Sequence, residues 1–216
     1  MDLEQARFNM IEQQIRPWSV LDKTVLQTMG DIPRDIFVPE ELTSMAYADI
    51  EIPIGHDEAM MFPRVEGRML QELELSINDE CLEVGTGSGY TAACMATMAN
   101  HVTSIDIYDD FLERAAGKFE EVNISNIQLS NQDALSMDHT GKQYDAIAVT
   151  SSLPEYVPLF EQFLKPNGRL FIIVGTGQTM HALKIVRKDG TFIRQSLFET
   201  ALKKMVGAID ITKFSF

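Results

Sequence analysis

The chain has 216 residues, 45% hydrophobic and 23% charged, with a formal net charge of −14. That length fits one domain with a sizeable core and room for an added subdomain, and the composition excludes a disordered chain. A chain this acidic repels nucleic acid and anionic membrane overall, and no apolar run reaches membrane-spanning length. Basic residues pair only at Arg187-Lys188 and Lys203-Lys204. The segment Met1-Asp2-Leu3-Glu4-Gln5 lacks the basic and apolar parts of a signal peptide, so the expected location is the cytoplasm. Cys81 and Cys94 have no metal-ligand spacing and read as reduced packing residues, with no metal expected.

In chain order, Phe8, Ile11 and Ile15 are spaced for one helical face, which Arg16-Pro17 ends. Asp22 is a candidate N-cap for a second helix, with Val25, Leu26 and Met29 as its apolar face and Gly30 just past its end. These elements and the stretch from Ile32 to Asp49 read as a helical cap over a sheet edge, or as a lid shaping a substrate pocket. Residues 52–63, with Pro53, Gly55 and Pro63, read as a stiff irregular loop on a pocket wall. Val65 to Leu75 is a predicted helix, with Val65, Met69 and Leu73 on one face, before a turn at Asn78-Asp79.

The rest of the chain is organised around Glu83-Val84-Gly85-Thr86-Gly87-Ser88-Gly89-Tyr90. A predicted strand, Glu80–Val84, meets a glycine turn and then an Ala-rich helix from Tyr90. This is the first half of a nucleotide-binding βαβ unit. Glycines at 85, 87 and 89 give G-x-G-x-G rather than the dinucleotide G-x-G-x-x-G. The spacing, with an acid two residues before the first glycine, is that of S-adenosylmethionine-dependent methyltransferases. A glycine turn on its own can be an ordinary turn, so the next strand carries weight. Asp106 ends that second strand, Val102–Ile105, where it can accept both ribose hydroxyls of a nucleoside.

Phe111 to Val122 is a predicted helix with Phe111, Leu112, Ala115 and Phe119 inward. Ile127–Leu129 is a third strand leading to Asp133, placed to accept a hydrogen bond from an adenine amine. Asp145–Val149 is a buried fourth strand, with Thr150 to Pro154 at its carboxyl end. A helix is expected over Val157–Leu164, ended by Lys165-Pro166-Asn167-Gly168, and a fifth strand over Arg169–Val174. Residues 182–187 and 191–198 alternate around Asp189-Gly190, the signature of a hairpin with a primed turn. Phe214-Ser215-Phe216 is a candidate last edge strand.

These stretches carry a resemblance. Ile36-Phe37-Val38-Pro39-Glu40-Glu41-Leu42, Ala46-Tyr47-Ala48-Asp49, Ile52-Pro53-Ile54-Gly55-His56 and Leu82 to Tyr90 are similar to the protein-L-isoaspartate O-methyltransferase family. So are Tyr144 to Thr150, Leu153-Pro154-Glu155 and Leu164 to Leu170. The fold expected is α/β, a doubly wound Rossmann-like methyltransferase fold. Its sheet is mostly parallel, with an antiparallel C-terminal hairpin and an N-terminal helical cap. One domain is expected over 1–216, with cap and substrate-side loop at 1–75 and the cofactor-binding core at 76–216.

The resemblance implies S-adenosylmethionine as cofactor and transfer of its methyl to L-isoaspartyl carboxylates of damaged proteins. The expected cofactor residues are Glu83, Gly85, Thr86, Gly87, Ser88, Gly89, Asp106, Ile107, Asp133, Ala134 and Thr150. The substrate-side loop is represented by His56, Ala59, Met60 and Met61, with no catalytic group assigned. Where the family carries Thr-Ile-Ser, this chain has Ala59-Met60-Met61, so both hydroxyls are absent. Glu66 is a second departure, read either as an acid near the cofactor or as a solvated helix residue. Partners are a protein or peptide acceptor, or a small molecule, with no nucleic acid or membrane, for a monomer or small homo-oligomer. The alternatives are a methyltransferase with another acceptor, or a cofactor-binding module without turnover.

Overall fold

Successive strand residues face opposite ways, and that alternation sorts the apolar residues into two layers. Leu82, Val84, Ile105, Ile147, Val149, Leu170 and Ile172 pack on one face of a sheet, and Cys81, Val102, Ala146, Ala148, Phe171 and Ile173 on the other. The computed structural model describes residues 2–137 and 141–209. Its N-terminal elements are α1 (Leu3–Asn9), α2 (Lys23–Asp31) and α3 (Arg34–Phe37), followed by a small hairpin, β1 (Ile52–Gly55) and β2 (Glu58–Met60), and then α4 (Pro63–Leu73). Next come β3 (Glu80–Val84), α5 (Tyr90–Met98), β4 (His101–Asp106), α6 (Asp109–Glu121) and β5 (Ile127–Asn131). The last strands are β6 (Tyr144–Leu153), β7 (Leu164–Thr176), β8 (Thr179–Lys188) and β9 (Thr191–Thr200).

The main sheet has seven strands in the order β5-β4-β3-β6-β7-β8-β9. It is parallel from β5 to β7 and antiparallel from β7 to β9. From β3 the chain runs outward to β4 and β5, then crosses back to place β6 on the other side of β3. The strand order reverses there, and ligands bind beyond the carboxyl ends of strands at such a point. The helices α4, α5 and α6 pack on one face together with the cap, in a single cluster running from Met10 and Met29 through Met95 to Phe171.

Several expectations meet the structure directly. Asp22 caps α2, its side chain accepting from the Thr24 and Val25 amides at 2.8 and 3.0 Å. Asp189 and Gly190 both have positive φ (50° and 77°), as a primed hairpin turn requires.

Others are corrected. The first helix passes into a π-helical turn at Met10–Ile15, which adds a residue to the turn. Met10, Ile11 and Ile15 are buried as a result, and Phe8 is left 59% exposed. The helix α2 includes Gly30. Residues 52–60 form the β1–β2 ribbon rather than an irregular loop, and a ribbon has only edges, so Pro53 costs it no central ladder bond.

No α-helix forms over Val157–Leu164. The strand β6 runs on to Leu153, leaving a short crossover that contains Pro154 and Pro158, and only a 3-10 turn at Glu161–Phe163 remains. Phe160 and Phe163 still bury against the second face of the sheet. The segment Phe214–Phe216 lies outside the described residues.

Gly89 ends the glycine turn at φ 90°, and a Cβ there would meet Ala115 and Phe119 of α6 at 3.0 Å. Gly89→Ala is expected to destabilise the fold by about 1–3 kcal/mol. Urea denaturation of the two proteins checks it.

Candidate functional site

The glycine turn is pinned from both neighbouring strands. Its amides at Gly85 and Thr86 donate to the Ile105 carbonyl of β4, at 2.9 and 3.1 Å. On the other side, the Thr150 hydroxyl of β6 lies 2.9 and 2.8 Å from the Val84 and Gly85 carbonyls. A Cβ on Gly85 would stand 2.4 Å from that hydroxyl, so the turn passes Thr150 only as glycine. Thr150 lies within β6 rather than beyond its end, at a register shift between Ala148 and Ser152.

Asp106 ends β4 and is 8% exposed. Its Oδ2 accepts from the Gly87 amide at 2.9 Å and its Oδ1 from the Tyr108 amide at 3.0 Å. Burial pushes its carboxyl above the usual range, against the pull of those amides. Each oxygen keeps a lone pair for a ligand hydroxyl. Asp133 lies just past β5, and its Oδ1 caps the Leu135 amide at 2.9 Å, leaving the second oxygen as an acceptor.

These groups border a cleft of about 830 Å³, counting the part open to solvent. Among the expected residues, Gly85, Thr86, Gly87, Ser88, Asp106, Ile107, Asp133, Ala134 and Thr150 line it, as do Ala59, Met60 and Met61. Glu83, Gly89 and His56 do not. Glu83 lies behind the turn, fully buried, and acts on it through two hydroxyls. Its Oε2 lies 2.5 Å from Ser104 Oγ, and Ser104 Oγ lies 2.6 Å from Thr86 Oγ1, so the three groups form one hydrogen-bonded chain. Burial pushes the Glu83 carboxyl up to about 8. Gly89 packs on α6. His56 lies 2.8 Å from Asp110 and stacks on Tyr108 with ring centroids 4.0 Å apart, so it braces the β1–β2 turn against α6.

Glu58, Tyr108, Phe111 and Gln132 also line the cleft, and sequence reasoning missed them. The offsets of Tyr108 from Asp106 and of Gln132 from Asp133 could have flagged those two. Nothing local marks the others. Glu66 is neither solvated nor isolated: it is buried on α4 at the cleft wall and paired with the fully buried Arg34. Burial raises its pKa, and the Arg34 charge opposes that shift. A second cleft adjoins the first and shares Glu58 and Ala59 with it. It is bordered by Glu51, Asp57 and Lys203, with the Lys203 ammonium 2.5 Å from Asp57 and 3.9 Å from Glu58.

The model of the family described as protein-L-isoaspartate(D-aspartate) O-methyltransferase matches residues 5–206. The chain belongs to the protein-L-isoaspartate O-methyltransferase family. A Petrotoga mobilis protein-L-isoaspartate O-methyltransferase is 37% identical over 193 residues, covering 88% of this chain and 90% of that one. Its Methanoculleus marisnigri counterpart is 36% identical over 185 residues, covering 85% and 84%. The fold matches that of a Plasmodium falciparum protein described as a member of the same family and solved with S-adenosyl-L-homocysteine. The TM-score is 0.81 at 21% identity, over 92% of this chain and 97% of that one.

The family's cofactor fits the residues present. Asp106 has acceptor capacity for two hydroxyls, Asp133 has a spare oxygen for an amine, and the glycine turn from Gly85 to Ser88 lines the cleft. The charge also fits: Glu58, Glu66, Asp106 and Asp133 line the cleft, and no lysine or arginine does so among the described residues.

The raised pKa of Glu83 has a stability consequence. Its carboxyl is protonated to a higher pH in the folded chain than in the unfolded one, so folding takes up a proton between about pH 4.5 and 8. Stability from this group therefore falls as pH rises through that window. Glu83→Gln is expected to flatten the pH profile of the denaturation midpoint between about pH 5 and 8, measured in urea.

Proposed function

We propose that the first cleft holds S-adenosylmethionine and that the chain methylates the free α-carboxyl of L-isoaspartyl residues in damaged proteins. The observation that carries the cofactor assignment is Asp106, fixed by two backbone amides at a strand end with both oxygens still able to accept. Asp106 and Ile107 take the ribose end, Asp133 and Ala134 the adenine end, and Gly85 to Ser88 the turn beneath. Glu83 and Gly89 shape that turn from behind, and Thr150 holds it from β6.

When bound, the cofactor supplies an activated methyl on a cationic sulfur. An acceptor carboxylate arrives already ionised at neutral pH, so the chain needs no general base. The work left to its residues is positioning, exclusion of water and charge arrangement. Buried Met60 and Met61 keep water from the wall of the first cleft. The acceptor enters by the second cleft, where Lys203 is the cation among the described lining residues. Its partner Asp57 is fully solvated, and an exposed pair of that kind is worth little and exchanges readily. The apolar methionines also favour a second reading, an acceptor less polar than an isoaspartyl peptide.

The cap (1–75) and the core (76–216) act as one unit, a reading supported by the cluster they share. The working location is the cytoplasm, supported by two free buried cysteines. No helix among the described residues is long and apolar enough to cross a membrane. The net charge of −14 supports protein rather than nucleic acid as partner, and a monomer or small homo-oligomer suffices for the site.

Labelled methyl from S-adenosylmethionine is expected to reach an isoaspartyl peptide and not its aspartyl counterpart. Cofactor binding by calorimetry without transfer to either peptide would move the assignment to another acceptor or to a binding module. Asp106→Ala is expected to weaken S-adenosylmethionine binding roughly tenfold or more in the same calorimeter. An unchanged dissociation constant would remove Asp106 from the ribose site.

A further inference from the structure

The four acids of the first cleft differ in what holds them. Asp106 and Asp133 are tied to backbone amides, and Glu58 sits near Lys203. Glu66 is different: it projects from α4, is 2% exposed, and is held by a buried guanidinium. Arg34 Nη1 donates to Glu66 Oε2, and Arg34 Nη2 donates to the Met61 carbonyl at 2.8 Å. The Arg34 guanidinium carbon lies 4.8 Å from the centroid of the Tyr90 ring. Charge, hydrogen bonds and stacking together leave the Glu66 side chain little freedom.

Its second oxygen, Oε1, has no hydrogen-bond partner among the described residues, and Glu66 lines the cleft beside Met60, Met61 and Thr91. The Arg34–Glu66 pair therefore presents its negative end to the cleft. A carboxylate oxygen left open to the cleft wall can receive a cationic ligand group. No lysine or arginine is among the described residues lining the cleft.

We propose that Glu66, aimed by Arg34, is the fixed anionic contact for the positively charged amino-acid and sulfonium half of the cofactor. The inference rests on the reading of this cleft as the S-adenosylmethionine site. Glu66 is then a specificity residue for the charged half of the ligand, as Asp106 and Asp133 are for the nucleoside half. Arg34 is a positioning residue that acts through Glu66.

The test is calorimetric and independent of turnover. Binding of S-adenosylmethionine is compared with that of 5′-methylthioadenosine, which keeps the nucleoside and the sulfur but has no charge. Glu66→Gln is expected to weaken S-adenosylmethionine about tenfold or more while changing 5′-methylthioadenosine less than about twofold. Equal losses for both ligands, or no loss for either, would overturn the proposal. Glu66→Gln strands the buried Arg34 charge and can fail to fold. The pair Arg34→Met with Glu66→Gln removes both charges, and the same selective loss is expected of it. If the unaltered protein bound neither ligand, the reading of the cleft itself would fall. If it bound both and the variants matched it, only the role of Glu66 would.

Discussion

The tie between the Asp106 carboxylate and the Gly87 amide is the contact on which the site depends. A glycine turn has three residues of unusual backbone freedom. Left alone it would sample many shapes. Here β4 holds it from one side through Ile105 and Asp106, and β6 holds it from the other through Thr150. Both strands are parallel neighbours of β3, so the register of the sheet sets the shape of the turn. The same carboxylate then faces the cleft with its remaining lone pairs, which joins scaffold and recognition in one group.

Beneath that tie runs a buried polar chain, Thr86 to Ser104 to Glu83. Glu83 has one satisfied oxygen and one without a partner. Burial outweighs the Ser104 bond and keeps its proton on well above the ordinary range of a glutamate. An acid two residues before a glycine turn thus need not touch a ligand. In this chain it works on the rear of the turn through two hydroxyls.

The cap is part of the site rather than a cover laid over it. Arg34 of α3 reaches the carboxylate of Glu66 and the carbonyl of Met61. One buried cation thereby links the N-terminal helices, the substrate-side loop and the cleft wall. Replacing a buried ion pair by apolar residues is often neutral for stability, so such a pair is weak evidence of a stability role. Its place at the cleft makes a role in recognition the better account. The absent hydroxyls at Ala59 and Met61 and the acid at Glu66 then belong to one wall that is apolar in lining and negative in charge.

Local pattern alone determined much of this protein. Short apolar runs marked β3 and β4, the glycine spacing marked the turn, and Asp22 and Asp189-Gly190 marked a cap and a hairpin, because each depends on neighbours within a few residues. Asp106 and Asp133 were legible because a parallel βαβ topology puts strand-end acids at a known place. Tertiary structure decided the rest. The helical expectation over Val157–Leu164 failed because the length of β6, set by pairing with β7, left too short a crossover. Glu83 and Gly89 carry the right pattern but lie behind the turn, and His56 braces a surface turn, because burial and facing depend on packing partners far away in sequence. Arg34 and Glu66, 32 positions apart, meet only once the cap folds onto α4. An ion pair between distant elements has no period or spacing to betray it, and it takes the folded chain to reveal it.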